Sequence, residues 1–401
     1  MLLESMHQYS SNIYQHHPET LMRVLNVVSV LSAREGGGNG ERIVQLSKAL
    51  AEAGVDCTVL TLVIGNPAAR IGQLGGAKLA LVSCLNSRFQ LPLGGWRLIQ
   101  DLVRQSDIIH LMGYWSILGA MVSVAARRAG VPYVISPAGA LPLFGRSRWL
   151  KRIFNRILGQ RLISKASGWI AITKAECVDF MPYGIPPGEI EVLPNGVNEA
   201  DFAVNGPSKS DDRKIPSGTL ILFMGRLNLI KGPDLLLEAF AQVATEFPDT
   251  KLVFAGPDEG FGDTLAQEAE MHGLRDRVHF LGFVSGVDKS LAYRSASLLV
   301  VPSRHEAMSI VAVEGGICGT PVLMTNQCGL DELAEIDPGL VVPATAEGLA
   351  HGLRMALSDR QQLEEWGRRW ETIVRERYSW TDLTLKLRGY LQKIVAKERL
   401  K

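Results

Sequence analysis

Short apolar runs alternate with helical periods along nearly the whole chain. The first run, Arg23–Leu31 (RVLNVVSVL), predicts a strand. A polar, glycine-rich stretch follows, SAREGGGNGE. Then comes a helical period, RIVQLSKALAEAG, with Ile43, Leu46, Ala49 and Leu50 on one face and Gly54 at its end. Further strands are predicted at Cys57–Ile64, Asp107–Leu111, Pro132–Ser136, Gly168–Thr173 and Ile190–Leu193. Helices are predicted at Leu118–Ala129, stopping at Gly130, and at Arg148–Ile163. Runs this short and this apolar, separated by helices, belong to a parallel sheet covered on both faces.

The pattern breaks at residues 198–218, where NGPSKSDDRKIPSG reads as a linker. It then resumes. Strands are predicted at Thr219–Met224, Lys251–Ala255, Val278–Leu281, Ser297–Val301, Pro321–Met324 and Leu340–Val342. Helices are predicted at Pro233–Thr245, Thr264–His272, Val287–Arg294, Ile310–Ile317 and Ala346–Leu357, and the tail from Arg360 is helical and charged. The expected architecture is α/β: two Rossmann-like domains, residues 22–197 and 219–380, facing each other across a cleft. Residues 1–21 form an extension and 381–401 a final helix. Ligands of such sheets bind beyond the C-terminal strand ends, so chemistry is expected in the cleft.

Composition narrows the class. A chain of 401 residues exceeds one ordinary core, and a net charge of +1 gives no general attraction to nucleic acid. Five cysteines with no CxxC pair support neither a zinc ribbon nor a disulfide framework; reduced thiols in a cytoplasmic protein are expected. No run approaches the roughly 18 apolar residues of a membrane span. The polar first 20 residues do not resemble a signal peptide.

The nucleotide chemistry can be read from loops at strand ends. Gly36, Gly37, Gly38, Asn39 and Gly40 lie between a strand and a helix, but Glu41 breaks the GxGxxG pattern and no acid ends the second strand, which argues against a nicotinamide cofactor. A Walker A motif is absent. The glycines are either a plain connection or a place where backbone approaches a phosphate or sugar closely. In the second half, Gly225 and Arg226 close the first strand and Lys231 follows five residues later. Two cations at a sheet edge suit a diphosphate and neutralise a leaving nucleotide without metal. Further on, a strand ends at Val301, a loop carries His305, Glu306, Ala307 and Met308, and a helix begins at the N-cap candidate Ser309 with Ile310. Glu314 lies in that helix, eight positions after Glu306. The helix N-terminus offers free N–H groups and a positive dipole end, and both carboxylates suit sugar or ribose hydroxyls.

At these residues the chain resembles the retaining glycosyltransferases of family 4, whose two-Rossmann fold is called GT-B. The shared elements are GRLNLIKG at 225–232, Glu306-x7-Glu314, GTPV at 319–322, PNGV with Asn195 at 194–197, the glycine-rich loop, and YSWTDL at 378–383. The resemblance spans about residues 22–395 and is specific as a set. It implies that Arg226 and Lys231 hold the diphosphate of a UDP- or GDP-sugar. It also implies that Glu314 binds ribose, and that Glu306 contacts the transferred sugar with the backbone of Ala307–Ile310. Gly37, Gly38 and Asn39 then close over the donor. No cofactor or metal is implied. Acceptors would be small molecules, glycan precursors or lipid-linked glycans.

Several positions depart from the family pattern. Relatives place a histidine in the turn that here reads Pro137-Ala138-Gly139-Ala140, so that role does not carry over. His110 is either a cleft group or a structural histidine, and His305 faces either sugar or solvent. The usual Gly-Phe-Gly after the first glutamate is Ala307-Met308-Ser309, which leaves the donor sugar open. Residues 146–165 hold seven Arg or Lys and no acid, with Trp149, Ile153, Phe154, Ile157 and Leu158 at helical spacing. That stripe either rests on an anionic membrane or packs on the core. The rival functions are a sugar-nucleotide epimerase on the same fold and a non-catalytic relative; a phosphorylase would need a longer chain.

Overall fold

The computed structural model describes residues 21–32, 35–142, 148–203 and 215–400. Most of the expected N-terminal extension and of the linker lies outside these residues, as do Arg146 and Ser147 of the basic segment.

The chain opens with β1 (Arg23–Val27), α1 (Gly37–Glu52), β2 (Asp56–Leu62) and β3 (Lys78–Val82). A hairpin of β4 (Cys84–Asn86) and β5 (Leu91–Pro92) precedes α2 (Trp96–Gln105), β6 (Ile108–Met112), α3 (Ile117–Ala129) and β7 (Tyr133–Ser136). The basic segment holds α4 (Arg148–Phe154), a π turn (Asn155–Gly159) and α5 (Gln160–Ser164), followed by β8 (Gly168–Ala171) and β9 (Ile190–Val192). Among the described residues, seven parallel strands form the first sheet in the order β3-β2-β1-β6-β7-β8-β9. Its central strand β6 is buried along its whole length, the pattern expected of a strand covered on both faces.

The second half holds β10 (Thr219–Met224), α6 (Pro233–Val243), β11 (Thr250–Ala255), α7 (Gly262–Met271), β12 (Val278–Gly282), α8 (Gly286–Ser295) and β13 (Leu298–Val301). It continues with α9 (Ile310–Ile317), β14 (Val322–Thr325), β15 (Val341–Val342), α10 (Ala346–Ser358), α11 (Arg360–Arg377) and α12 (Trp380–Arg399). The parallel sheet runs β12-β11-β10-β13-β14-β15. In both sheets the order reverses beside the first strand, which opens a crevice at the C-terminal edge.

The chain crosses between the halves twice, and the crossings pair. Val197 N–H donates to the Tyr378 carbonyl (2.7 Å), and Trp380 N–H donates to the Val197 carbonyl (3.1 Å). Helix α12 then returns to the first domain, packing Trp380, Leu383, Leu387 and Leu391 against Ile43, Leu46 and Leu50 of α1.

The structure corrects the expected elements at several points. Helix α1 begins at Gly37 rather than Arg42, because the glycines themselves form its first turn; Gly40 N–H bonds the Gly36 carbonyl at 3.0 Å. Strand β1 ends at Val27 rather than Leu31. Residues 65–106, where no element is expected, hold β3, the hairpin and α2. Their apolar side chains are mostly exposed or half-buried, with only Ile99 and Val103 buried in α2. Part of the expected linker is packed: residues 199–202 form a short 3₁₀ turn with Phe202 buried in the second core. The helix expected over Arg148–Ile163 is interrupted by its π turn, where the Tyr114 hydroxyl donates to Asn155 and a Cβ at Gly159 would lie 2.1 Å from that hydroxyl. Trp149, Ile153 and Ile157 stand 63, 47 and 60% exposed, so the outer apolar stripe of this segment does not pack on the core.

Candidate active site

Beyond the C-terminal edge of the second sheet, each predicted cation is paired with a carboxylate. Strand β10 stops when Gly225 N–H bonds the Ala255 carbonyl, and Leu227 bridges to the 257–259 loop. This aims Arg226 outward, half-exposed, with its guanidinium 2.9 Å from Glu259 Oε1; Asn228 holds the other oxygen at 2.7 Å. Lys231 Nζ lies 2.7 Å from Glu306 Oε1, and the Ser303 hydroxyl donates to Oε2 at 3.0 Å. Between them Gly232 has φ +70°, and a Cβ there would strike the Pro302 carbonyl at 2.1 Å. Only glycine lets α6 start this close to the Glu306 loop.

That loop is strapped down. Glu306 N–H bonds the Gln327 carbonyl (2.8 Å) and Ser309 N–H the Cys328 carbonyl (2.9 Å). The Ser309 hydroxyl accepts from Ala312 N–H at 3.3 Å, capping α9. Glu314, one turn into α9, is buried; Lys289 Nζ reaches Oε1 at 2.6 Å and the Tyr293 hydroxyl donates to Oε2 at 2.7 Å. Burial, and then the Glu314 charge, push the Tyr293 hydroxyl far above its ordinary range, so it stays a donor. The result is a balanced set: Arg226, Lys231 and Lys289 against Glu259, Glu306 and Glu314.

The first domain faces this set with backbone. A Cβ at Gly38 would sit 3.4 Å from Ile310 Cδ1, so the glycine turn of α1 meets the start of α9. The Asn39 amide lies beside Gly113 at the end of β6. Ala138 and Gly139 both have positive φ, +52° and +79°, and a Cβ at Gly139 would fall 2.1 Å from Ala307 Cβ. The buried Glu176 carboxylate holds this turn, accepting from Gly139 N–H (2.6 Å) and Ile172 N–H (2.7 Å); burial raises its pKa. His305 is half-buried.

Four further expected ligand residues are buried. Ser309 has its N–H on Cys328 and its hydroxyl on the helix cap, with no exposed surface for a substrate. Asn195 is buried and engaged: its backbone N–H meets Met308 Sδ at 3.1 Å, its amide the Met308 carbonyl at 3.5 Å. Met308 is thereby a cross-domain contact, with only 4% of its surface exposed. His110 is fully buried inside β6, and neither ring nitrogen has a hydrogen-bond partner among the described residues.

Burial, helped by the Arg42 charge, lowers the His110 pKa to about 3. The unfolded chain therefore binds a proton below the ordinary value of 6.5 while the folded protein does not. Stability is full above that pH and falls by about 1.4 kcal/mol per pH unit as the solution is acidified toward the folded value. Urea titrations of wild type and His110→Leu between about pH 7 and pH 5 measure this. The stability difference should shift with pH by that slope; a pH-independent difference would refute it.

The model of Glycosyltransferase Family 4 matches residues 36–201, and that of Glycosyl transferases group 1 matches residues 208–371. A D-inositol 3-phosphate glycosyltransferase of Frankia alni is 30% identical over 330 residues, 74% of this chain and 79% of that protein. The chain belongs to glycosyltransferase family 4. An uncharacterized glycosyltransferase of Methanocaldococcus jannaschii is 33% identical over 221 residues, and the match spans about half of that relative, 53%. Among solved structures, Anabaena HepE in complex with UDP and glucose superposes with a TM-score of 0.74 at 22% identity, covering 93% of this chain and 100% of that one. Sucrose-phosphate synthase of Thermosynechococcus elongatus gives 0.72 at 19%, covering 94% and 100%. These likenesses fix the fold of this family 4 glycosyltransferase as GT-B.

Within that frame, Lys289, Tyr293, Glu259 and Glu176 are the polar groups the motifs did not disclose. Lys289 and Tyr293 stand four apart on α8, a spacing that places both on one helix face. Nothing local shows that they converge on Glu314.

Proposed function

We propose that this glycosyltransferase moves a sugar from a UDP-sugar to an acceptor hydroxyl, with retention and without metal. The observation that carries this is the pair of cations, Arg226 and Lys231, at the second sheet's edge, with Lys231 held by Glu306 in the loop whose Ala307 and Ile310 meet the Gly139 and Gly38 backbone of the first domain. Anabaena HepE, solved with UDP and with UDP-glucose, supports the choice of base. Arg226 and Lys231 would exchange Glu259 and Glu306 for the diphosphate. The bond from the anomeric carbon to phosphate oxygen breaks with its electron pair moving to that oxygen. The acceptor oxygen bonds the same face, and its proton passes to the departing phosphate. The demand on the protein is charge stabilisation on the leaving group. Titration calorimetry with UDP, followed by a panel of UDP- and GDP-sugars assayed for hydrolysis and transfer, tests this. Absence of UDP binding refutes the donor assignment; UDP binding with no turnover of any donor favours a non-catalytic relative.

The acceptor is proposed to be a polyol or glycan presented at an anionic membrane. Several relatives are named D-inositol 3-phosphate glycosyltransferases, which supports an acceptor of polyol type. Exposed Trp149, Ile153 and Ile157 beside exposed Arg152 and Arg156 support the membrane contact, since an apolar stripe ringed by cations matches a lipid interface. No helix among the described residues is long and apolar enough to cross a membrane. Flotation with vesicles of phosphatidylglycerol should capture wild type and lose Arg152→Glu/Arg156→Glu; equal capture of both sinks the membrane contact.

A further inference from the structure

Arg42 looks like a solvent-facing cation of α1, yet it is 1% exposed. Its guanidinium has no carboxylate at ion-pair distance among the described residues. It donates instead to three oxygens of one turn: the Leu193 carbonyl (2.8 Å), the Pro194 carbonyl (2.7 Å) and Asn195 Oδ1 (2.9 Å). Its Cζ stands 5.7 Å from the Trp380 ring of α12. A guanidinium buried on neutral acceptors is a costly way to fill space, so its geometry carries its use.

Among the described residues, Arg42 meets both chain crossings, the 193–195 turn directly and α12 at Trp380. The turn it holds is the outgoing crossing. Trp380 opens the returning helix, and the two crossings are zipped through Val197 and Tyr378. Gly196 sits so tightly under this junction that a Cβ would lie 2.8 Å from Trp380. Asn195, oriented by Arg42, reaches across to the backbone carbonyl of Met308, two residues after Glu306. The same helix carries the glycine turn that touches Ile310.

We infer that Arg42 is a positioning residue for transfer: it locks the 193–197 crossing and α12 to α1, and through Asn195 sets the sugar-side loop at Met308 against the first domain. It touches no substrate. The inference rests on the proposed reaction only for its kinetic readout.

The test uses the full chain with Arg42→Met and Arg42→Lys, UDP as the binding probe, and small-angle scattering. With Arg42→Met, kcat should fall roughly 10- to 100-fold, because a misplacement of about 1 Å has that consequence. The UDP Kd should stay within about twofold, since Arg226 and Lys231 lie in the other domain. The scattering distance distribution should broaden to longer distances. Arg42→Lys, which keeps charge but not the three-way fork, should recover part of kcat. Wild-type kcat and scattering in Arg42→Met would overturn the inference, as would a UDP affinity that falls in step with kcat. Should Arg42→Met fail to fold, Asn195→Ala carries the test: it removes the Met308 contact and should give the same split at smaller size, and an unchanged kcat would overturn the inference. If wild type binds no UDP, the donor assignment fails separately, and scattering alone then decides the role of Arg42.

Discussion

Lys231→Ala is expected to lower kcat by roughly 10²- to 10³-fold, the scale of losing one pre-placed donor to a developing negative charge. The physical reason is the placement of its ammonium. The Lys231 side chain is 23% exposed and Glu306 13%, so their 2.7 Å pair sits where water screens weakly. As the diphosphate departs it gains charge, and a cation held in that setting stabilises the transition state more than the bound donor. Arg226 differs. Its side chain is 49% exposed and shared with Glu259, so Arg226→Ala should act mainly on affinity, raising the UDP Kd about tenfold with a smaller effect on kcat. The two variants therefore separate binding from chemistry. Removing Lys231 also leaves Glu306 without its cation, facing an incoming anion. The double variant Lys231→Ala/Glu306→Gln should then lose less than the sum of its parts. Steady-state assays at saturating donor, with calorimetry for UDP, measure both. A kcat for Lys231→Ala within about threefold of wild type would remove the lysine from the chemistry.

How much of this was legible beforehand follows from what each residue's neighbours in sequence disclose. Arg226 and Lys231 flank a strand end and a glycine before a helix, so their address on the sheet edge can be read locally. Glu306 and Glu314 are likewise framed by a strand end and a cap. The alternation of strands and helices made two parallel sheets readable, since fully buried strands such as β6 are apolar throughout. His110, Arg42 and Glu176 defeat the same logic. Each is a polar residue in an ordinary-looking strand or helix, and only tertiary packing makes it buried. Lys289 reaches Glu314 from 25 residues away, and Tyr293 from 21, distances at which no periodicity operates. In the segment from β3 to α2, β3 is an edge strand whose apolar side chains are mostly only partly buried, whereas α2 does carry Leu98, Ile99, Leu102 and Val103 at helical spacing and was legible as a helix. The glycines before α1 read as a loop because isolated glycine disfavours helix. Here the close approach to Ile310 gives them a reason to be helical.

Gly139→Ala is expected to abolish most transfer while leaving UDP binding intact, the second large effect. Two penalties act at this position. At φ +79° an alanine meets the left-handed cost of about 1–2 kcal/mol. The larger penalty is contact: its methyl would stand 2.1 Å from Ala307 Cβ, where carbon atoms settle at about 3.5–4.0 Å. Either the turn or the Glu306 loop must retreat by more than 1 Å. The turn is tied to the buried Glu176 and the loop to Gln327 and Cys328, so neither yields easily. The yielding element is the separation of the domains, and about 1 Å of misplacement between reacting groups costs on the order of 10²-fold in rate. UDP affinity should hold within about twofold, because Arg226 and Lys231 do not touch this turn. The companion variant decides the cause. Ala307→Gly removes the opposing methyl, so Gly139→Ala/Ala307→Gly should regain much of the lost rate. A double variant as slow as Gly139→Ala alone would place the defect in the strained turn itself, and the contact between Gly139 and Ala307 would then have no part in bringing acceptor and donor together.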